Sequence, residues 1–290
     1  MSRIPKLWVS SANIEGLSFF MAEIYPRAVA LTIAGSDPSG GAGLQADLKT
    51  FQQLGVYGMS VVTLVTVQNT QSVRRVEVLP PDLVLEQLDA VLADIPPRAI
   101  KTGALGNVNV VQAVGQRLKD VNCPIVVDPV LVSKHGHPLA DEDVVDAYKK
   151  FILPRSWLIT PNRFEAERLT GLSLDSLDRV AKAIYRLREM GAQHVLIKLG
   201  RKDGESRHML GLATHNSELA VPRLPEGNSH GAGCVLSAAI AANVALGQKD
   251  VEAAVMFGIK RTFDAIHCNT QLGQGIHPVE TRAIQLAERD

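Results

Sequence analysis

Repeatedly along this chain a short run of aliphatic and β-branched residues stops at a polar or glycine-bearing loop, and a stretch with helical spacing of apolar residues follows. Arg27 to Ile33 reads as a buried strand, and Gly35-Ser36-Asp37 comes directly after it. Gly58 to Val67 delivers Gln68-Asn69, and Ala99 to Lys101 delivers Thr102-Gly103. Pro124 to Val127 ends at Asp128-Pro129, Trp157 to Thr160 at Pro161-Asn162, and His194 to Leu199 at Gly200. Between them lie helical patterns: the stripe Leu44, Leu48, Phe51, Leu54, then 82–93, 108–118, 141–151 and 177–190. Ser206 to Val221 reads as a β-hairpin region, and the helices 233–246 and 251–267 close the pattern. Strand–helix alternation predicts an α/β fold, a mostly parallel sheet covered by helices on both faces. In such sheets ligands bind at the carboxyl ends of the strands. The chain puts its polar residues there, which predicts a small-molecule site along one rim.

Composition removes other classes. The 290 residues are 46% hydrophobic and 21% charged, ordinary for a globular chain. Thirty basic and thirty acidic residues cancel, so no electrostatic footprint for nucleic acid or an anionic membrane surface is visible. Cys123, Cys234 and Cys268 have neither metal-ligand nor disulfide-framework spacing, which suits a reducing cytoplasm. No apolar run reaches the roughly 18 residues of a membrane span. Asn13 and Glu15 interrupt the start of the chain, which argues against a secretory signal. Residues 1–23 read as a poorly ordered extension, with Met21 a second candidate start. Residues 24–280 form one domain, and 281–290 a tail.

Two glycine loops carry the chemistry. Asn228-Ser229-His230-Gly231-Ala232-Gly233-Cys234 opens an apolar helix. Glycine lets a backbone approach a ligand, and the free N–H groups and positive dipole end of the helix bind anions. Gly231, Ala232 and Gly233 thus read as a phosphate cradle, or as a plain tight turn. Cys234, in the first turn, is either a small buried hydrophobe or a thiol whose pKa the helix end depresses. A Cys-His pair with His230 lacks a third orienting residue. The second loop, Gly40-Gly41-Ala42-Gly43, precedes Asp47, which is either a solvated acid or a carboxylate accepting from a ligand's amine or hydroxyl. Neither loop has the Lys-Ser/Thr of a P-loop. Gln68 is a neutral donor and acceptor able to read a heteroaromatic edge. Asn162 and Glu165, at i and i+3, fit a capping box or a pair holding waters around Mg²⁺. Lys198 offers a point charge for a nucleotide phosphate, or is a surface lysine.

The blocks 30–49, Thr66-Val67-Gln68-Asn69-Thr70, Val127-Asp128-Pro129-Val130, Thr160-Pro161-Asn162 with Glu165-Ala166, and Asn228 to Cys234 occur in order from about Ala28 to about Pro278. In this the chain resembles the hydroxymethylpyrimidine/phosphomethylpyrimidine kinases, the thiamine-pathway branch of the ribokinase-like superfamily. The resemblance implies a three-layer sandwich, ATP as co-substrate, Mg²⁺, a cytoplasmic enzyme and a homodimer. It implies phosphorylation of 4-amino-5-hydroxymethyl-2-methylpyrimidine and then of its monophosphate. Carried over, Gly35, Asp47 and Gln68 hold the pyrimidine, and Gly231, Ala232 and Gly233 form the anion hole. Cys234 is the base, where ribokinase relatives place an Asp. Asn162 and Glu165 organise Mg²⁺, with Asp128 assisting, and Lys198 serves the nucleotide. Three positions depart from the pattern. Ala104 stands where many members have Met, His137 replaces a common acid, and Ala232 replaces a usual Thr. A pyridoxal or pyridoxine kinase, and a non-catalytic pyrimidine-binding module, remain as other readings. Val132 to Leu139 is a candidate mobile cover.

Overall fold

The computed structural model describes residues 28–131, 141–202, 204–222, 229–268 and 270–286. The strands are β1 (Val29–Ser36), β2 (Tyr57–Gln68), β3 (Val73–Val78), β4 (Ala99–Thr102), β5 (Ile125–Val127), β6 (Leu158–Ile159), β7 (His194–Lys202), β8 (Glu205–Gly211) and β9 (Asn216–Pro222). They form one sheet in the order β3-β2-β1-β4-β5-β6-β7-β8-β9. Pairing is parallel from β2 through β7 and antiparallel at both margins. Parallel strands need crossover connections, so the helices α1 (Gly43–Gln53), α2 (Pro81–Asp94), α3 (Val108–Arg117), α4 (Glu142–Ala147), α5 (Arg163–Thr170) and α6 (Leu177–Glu189) fall between them. Two further helices, α7 (Ala232–Ala245) and α8 (Val251–His267), follow the last strand.

Strand alternation sorts the core into two faces. Leu31, Ile33, Ile100 and Val127 pack with α2 to α6, whereas Ala30, Ala99, Val126 and Leu196 pack with α1, α7 and α8. Helices therefore cover both faces, as the alternating pattern predicts. The second face is lined by small residues, which lets α7 lie deep. Ten of its residues are buried, and Gly258 of α8 has no room for a Cβ, which would stand 2.4 Å from Ile240 Cγ1.

Three readings change. Val73–Val78 is a strand that the sequence pattern did not show. Its charged residues Arg74, Arg75 and Glu77 face solvent on an edge and mask the alternation. The helix expected over 141–151 ends at Ala147 and passes into a π turn, Tyr148–Ile152. Residues beyond 280 are not simply a tail. Ala283–Leu286 forms the short helix α9, and Ile284 is fully buried against Val235 and Ala265. The expected extension over 1–23, His137 and the candidate cover over 132–139 lie outside the described residues.

Candidate active site

β1 carries Thr32 and Gly35 to the rim. Gly35 is enclosed, since a Cβ would stand 2.4 Å from Leu64 Cδ1. Asp37, just beyond, is 2% exposed. Its Oδ1 accepts from Ser39 N and Ser39 Oγ, at 2.9 and 2.7 Å, and its Oδ2 from Ala42 N at 2.8 Å. His230 Nε2 lies 2.8 Å from the same Oδ2. Burial alone would raise this carboxyl, but these bonds, with a smaller one from Gln68, hold it well below the usual carboxylate range. His230 thus faces Asp37, which answers the sequence question of a Cys-His pair.

Asp47 is not a solvated acid. It is 0% exposed, and its Oδ2 accepts from Thr32 Oγ1 at 2.6 Å and from Lys101 Nζ at 2.7 Å. Burial raises its pKa against the pull of Lys101. Lys101 was missed by sequence reasoning. The signal was a lysine inside a four-residue strand whose every position is buried, where an unpaired lysine almost never sits. After β4, Thr102-Gly103-Ala104 turns across the rim. Tyr148 in the π turn donates to Gly103 O at 3.1 Å, and Thr63 Oγ1 donates to Ala104 O at 2.6 Å. Gln68 ends β2 and is partly buried.

Across the rim, Gly231 caps α7 with φ 83°. A Cβ there would stand 1.8 Å from Gly41 O, so the two glycine loops touch backbone to backbone. Around Gly233 stand Asp128 Oδ2 and Lys198 Nζ, each 3.5 Å from where its Cβ would be. Lys198 and Asp128 are paired at 3.2 Å. Burial lowers Lys198, but Asp128 and Glu165 outweigh it and raise the pKa. Asn162 and Glu165 form the capping box in full, with Asn162 Oδ1 accepting from Glu165 N at 2.9 Å and Asn162 N donating to Glu165 Oε2 at 2.8 Å. Glu165 is only 4% exposed, and burial pushes it up to about 7 despite Lys198. Among the described residues no cluster of three or more His, Cys, Asp or Glu has metal-holding geometry. Asp128 and Glu165 are instead a pair of hard oxygen donors, and Mg²⁺ takes one or two such carboxylates together with substrate phosphates.

Cys234 departs from its expectation. The helix end was expected to depress its pKa; burial instead pushes the thiol up to about 12, with Lys101 pulling the other way and Gly43 N–H donating to the sulfur. Some of its surface remains accessible. Beside the loop, a cavity of about 210 Å³ is lined by Lys198, His208, Ala232, Gly233, Leu236 and Phe263. It adjoins the helix end at Ala232 and Gly233.

A mostly parallel sheet with a glycine-opened helix terminus at its strand-end rim, near the buried pairs Asp47–Lys101 and Asp128–Lys198, defines a phosphotransferase of ribokinase-like architecture. The chain belongs to the phosphomethylpyrimidine kinase family, whose sequence profile matches residues 37–280. It is 41% identical over 255 residues to the hydroxymethylpyrimidine/phosphomethylpyrimidine kinase of Bacillus subtilis, covering 86% of this chain and 93% of that one. Among solved structures it is similar to phosphomethylpyrimidine kinase from Clostridium difficile 630, with TM-score 0.73 and 38% identity over 83% of this chain and all of that one. It is also similar to pyridoxal kinase from Staphylococcus aureus in complex with ADP, with TM-score 0.81 and 36% identity over 88% of this chain and 94% of that one.

Proposed function

We propose that the protein phosphorylates 4-amino-5-hydroxymethyl-2-methylpyrimidine with ATP, and then phosphorylates the monophosphate to the diphosphate, in thiamine biosynthesis. The observation that carries this reading is the Gly231–Cys234 helix terminus standing beside Asp128 and Lys198 at Gly233 and within electrostatic reach of the Asp47–Lys101 pair at Cys234. The ring is held by Gly35, Asp47 and Gln68 above Ala104. Its hydroxymethyl oxygen attacks the γ-phosphorus while the bond to the β-phosphate oxygen breaks. The N–H groups of Gly231, Ala232 and Gly233 receive the equatorial charge. Cys234 takes the hydroxymethyl proton. Only the thiolate can accept it, a form that Lys101 favours.

The residues present fit Mg²⁺. Glu165 and Asp128 would hold its waters, with Asn162 keeping Glu165 in place, and the ion would neutralise the phosphates in transfer. Lys198 pairs with the same phosphates. Assay with ATP, Mg²⁺ and the pyrimidine is the direct test, and absence of a phosphorylated product at high enzyme would remove the reading.

Phosphorylation of pyridoxal is a second reading. It is favoured by the likeness to the S. aureus pyridoxal kinase, also solved in complex with pyridoxal, and by the short side chain at Ala104. Parallel assays on both substrates separate the two. A non-catalytic pyrimidine-binding module would bind ligand without turnover, and the intact loop at Cys234 supports catalysis instead. No described helix is long and apolar enough to cross a membrane. The free thiols Cys123, Cys234 and Cys268 support a cytoplasmic location. Exposed Tyr57, Val65 and Val67 on β2 support a homodimer, measurable by light scattering.

A further inference from the structure

Lys101 and Asp47 form an ion pair in which both side chains are 0% exposed. Three elements build it: β4 brings Lys101, the second turn of α1 brings Asp47, and β1 brings Thr32. Both donors converge on one oxygen, Asp47 Oδ2, at 2.7 Å from Lys101 and 2.6 Å from Thr32. The other oxygen, Oδ1, is buried and has no hydrogen-bond partner. A buried pair kept only for folding gains from having every lone pair satisfied, because an unmatched buried acceptor is costly. Room for the ammonium head is kept by Gly103, whose Cβ would lie 2.9 Å from Lys101 Nζ, in the turn that carries Ala104. Cation, carboxylate and the Gly103 turn therefore form one unit.

We propose that Lys101 is a positioning residue for ring recognition: it holds Asp47 ionised and fixed through Oδ2, so that Oδ1 is an obligate acceptor and the site selects rings that present an N–H donor. The donor class is an exocyclic amine or a protonated ring nitrogen. A ring edge carrying only acceptors meets an unpaired carboxylate oxygen, and that mismatch is where a polar site discriminates most. The inference rests on the reading of Asp47 as a ring-binding group. The groups whose charges reach Asp47 are Lys101 from β4, Asp128 after β5 and Cys234 from α7. Of these only Lys101 favours the ionised carboxylate. Without it, burial and the neighbouring acids favour the protonated form, in which the carboxyl is itself a donor.

The test compares the wild type with K101R, K101M, D47N and K101M/D47N. The substrates are the 4-aminopyrimidine and its 4-methoxy analogue, which lacks the N–H donor. In K101M, KM for the amine is expected to rise roughly tenfold or more near neutral pH and to fall again as rising pH takes the proton from Asp47. Selectivity for amine over methoxy analogue falls by a similar factor, and K101R retains it. If K101M does not fold, the uncharged K101M/D47N pair carries the selectivity measurement and is expected to discriminate no more than about threefold. A K101M enzyme with wild-type selectivity and no new pH dependence in KM overturns the proposal. An unchanged KM in D47N would instead overturn the ring-binding reading of Asp47, while leaving the kinase activity in place.

Discussion

Asp37 and His230, 193 positions apart, share one buried hydrogen bond of 2.8 Å. It joins the loop after β1 to the loop that opens α7, and the backbones interlock around it. A Cβ on Gly41 would stand 2.4 Å from His230 Cδ2. His230→Ala frees the phosphate loop from the ring-side loop without touching either ligand. Turnover is expected to fall about 100-fold, since displacement of a positioned group by an ångström costs that much, while KM for the pyrimidine stays within about threefold. Steady-state kinetics read both, and a KM that rises as far as kcat falls would contradict the positioning role.

Cys234 sets the pH dependence. Its thiol is pushed up to about 12, so the thiolate fraction increases with pH across the neutral and alkaline range. The value of kcat/KM should therefore climb with pH, by close to tenfold per unit at the limit where deprotonation alone controls it. Cys234→Ala should lower turnover by about 100- to 10,000-fold and flatten the profile. Cys234→Asp should move the rising limb to lower pH. An alanine variant with an unchanged profile would show that the proton goes elsewhere.

Gly231→Ala should be damaging twice over. The φ of 83° disfavours a side chain, and the new Cβ would meet Gly41 O. A loss of about 1–3 kcal/mol is expected from the backbone alone, visible as a lowered Tm. Gly200→Ala is the control. Its φ is also positive, at 87°, but nothing lies within 4 Å of the added carbon.

Glu165→Gln keeps the shape of the capping box and removes the charge. The Mg²⁺ concentration giving half-maximal rate should rise about 10- to 100-fold, the usual scale for groups that orient a bound metal. A magnesium titration at saturating ATP checks this, and an unchanged midpoint would leave Glu165 as a cap alone.

Ala104→Met refills the surface under the ring. It should improve kcat/KM for the pyrimidine relative to pyridoxal by about tenfold, the scale of a few methylenes in a pocket. Competition between the two substrates in one reaction measures the ratio directly.

The strand–helix order and the rim of polar strand ends were legible because each follows from local spacing: a buried run, then a polar stop. What was not legible depends on who meets whom across the chain. Local spacing offered His230 only Cys234, four residues away, in a pair that lacked a third residue, and its ring turns instead to Asp37. Cys234 read as an activated thiol from its helix end, but the depth of α7 dominates. Lys101 looked like an ordinary strand lysine until β1 and α1 closed over it. Asn162 and Glu165 were read as either a cap or a metal pair. The cap is formed in full, and the charges of Lys198 and Asp128 still reach its carboxylate.

The last segment of the chain bears on when the enzyme can come into being. Ile276 N donates to Thr70 O at 2.9 Å, His230 N to His277 O at 3.2 Å, and Val279 N to His230 O at 3.1 Å. The residues around 275–279 therefore pin the end of β2 and the phosphate loop at once. On a ribosome, which releases the amino-terminal strands first, the sheet can form early while these clasps are still unsynthesised. A nascent chain halted before Gly275 would lack these bonds, so the end of β2 and the phosphate loop are tied together only once Gly275 to Val279 have been made.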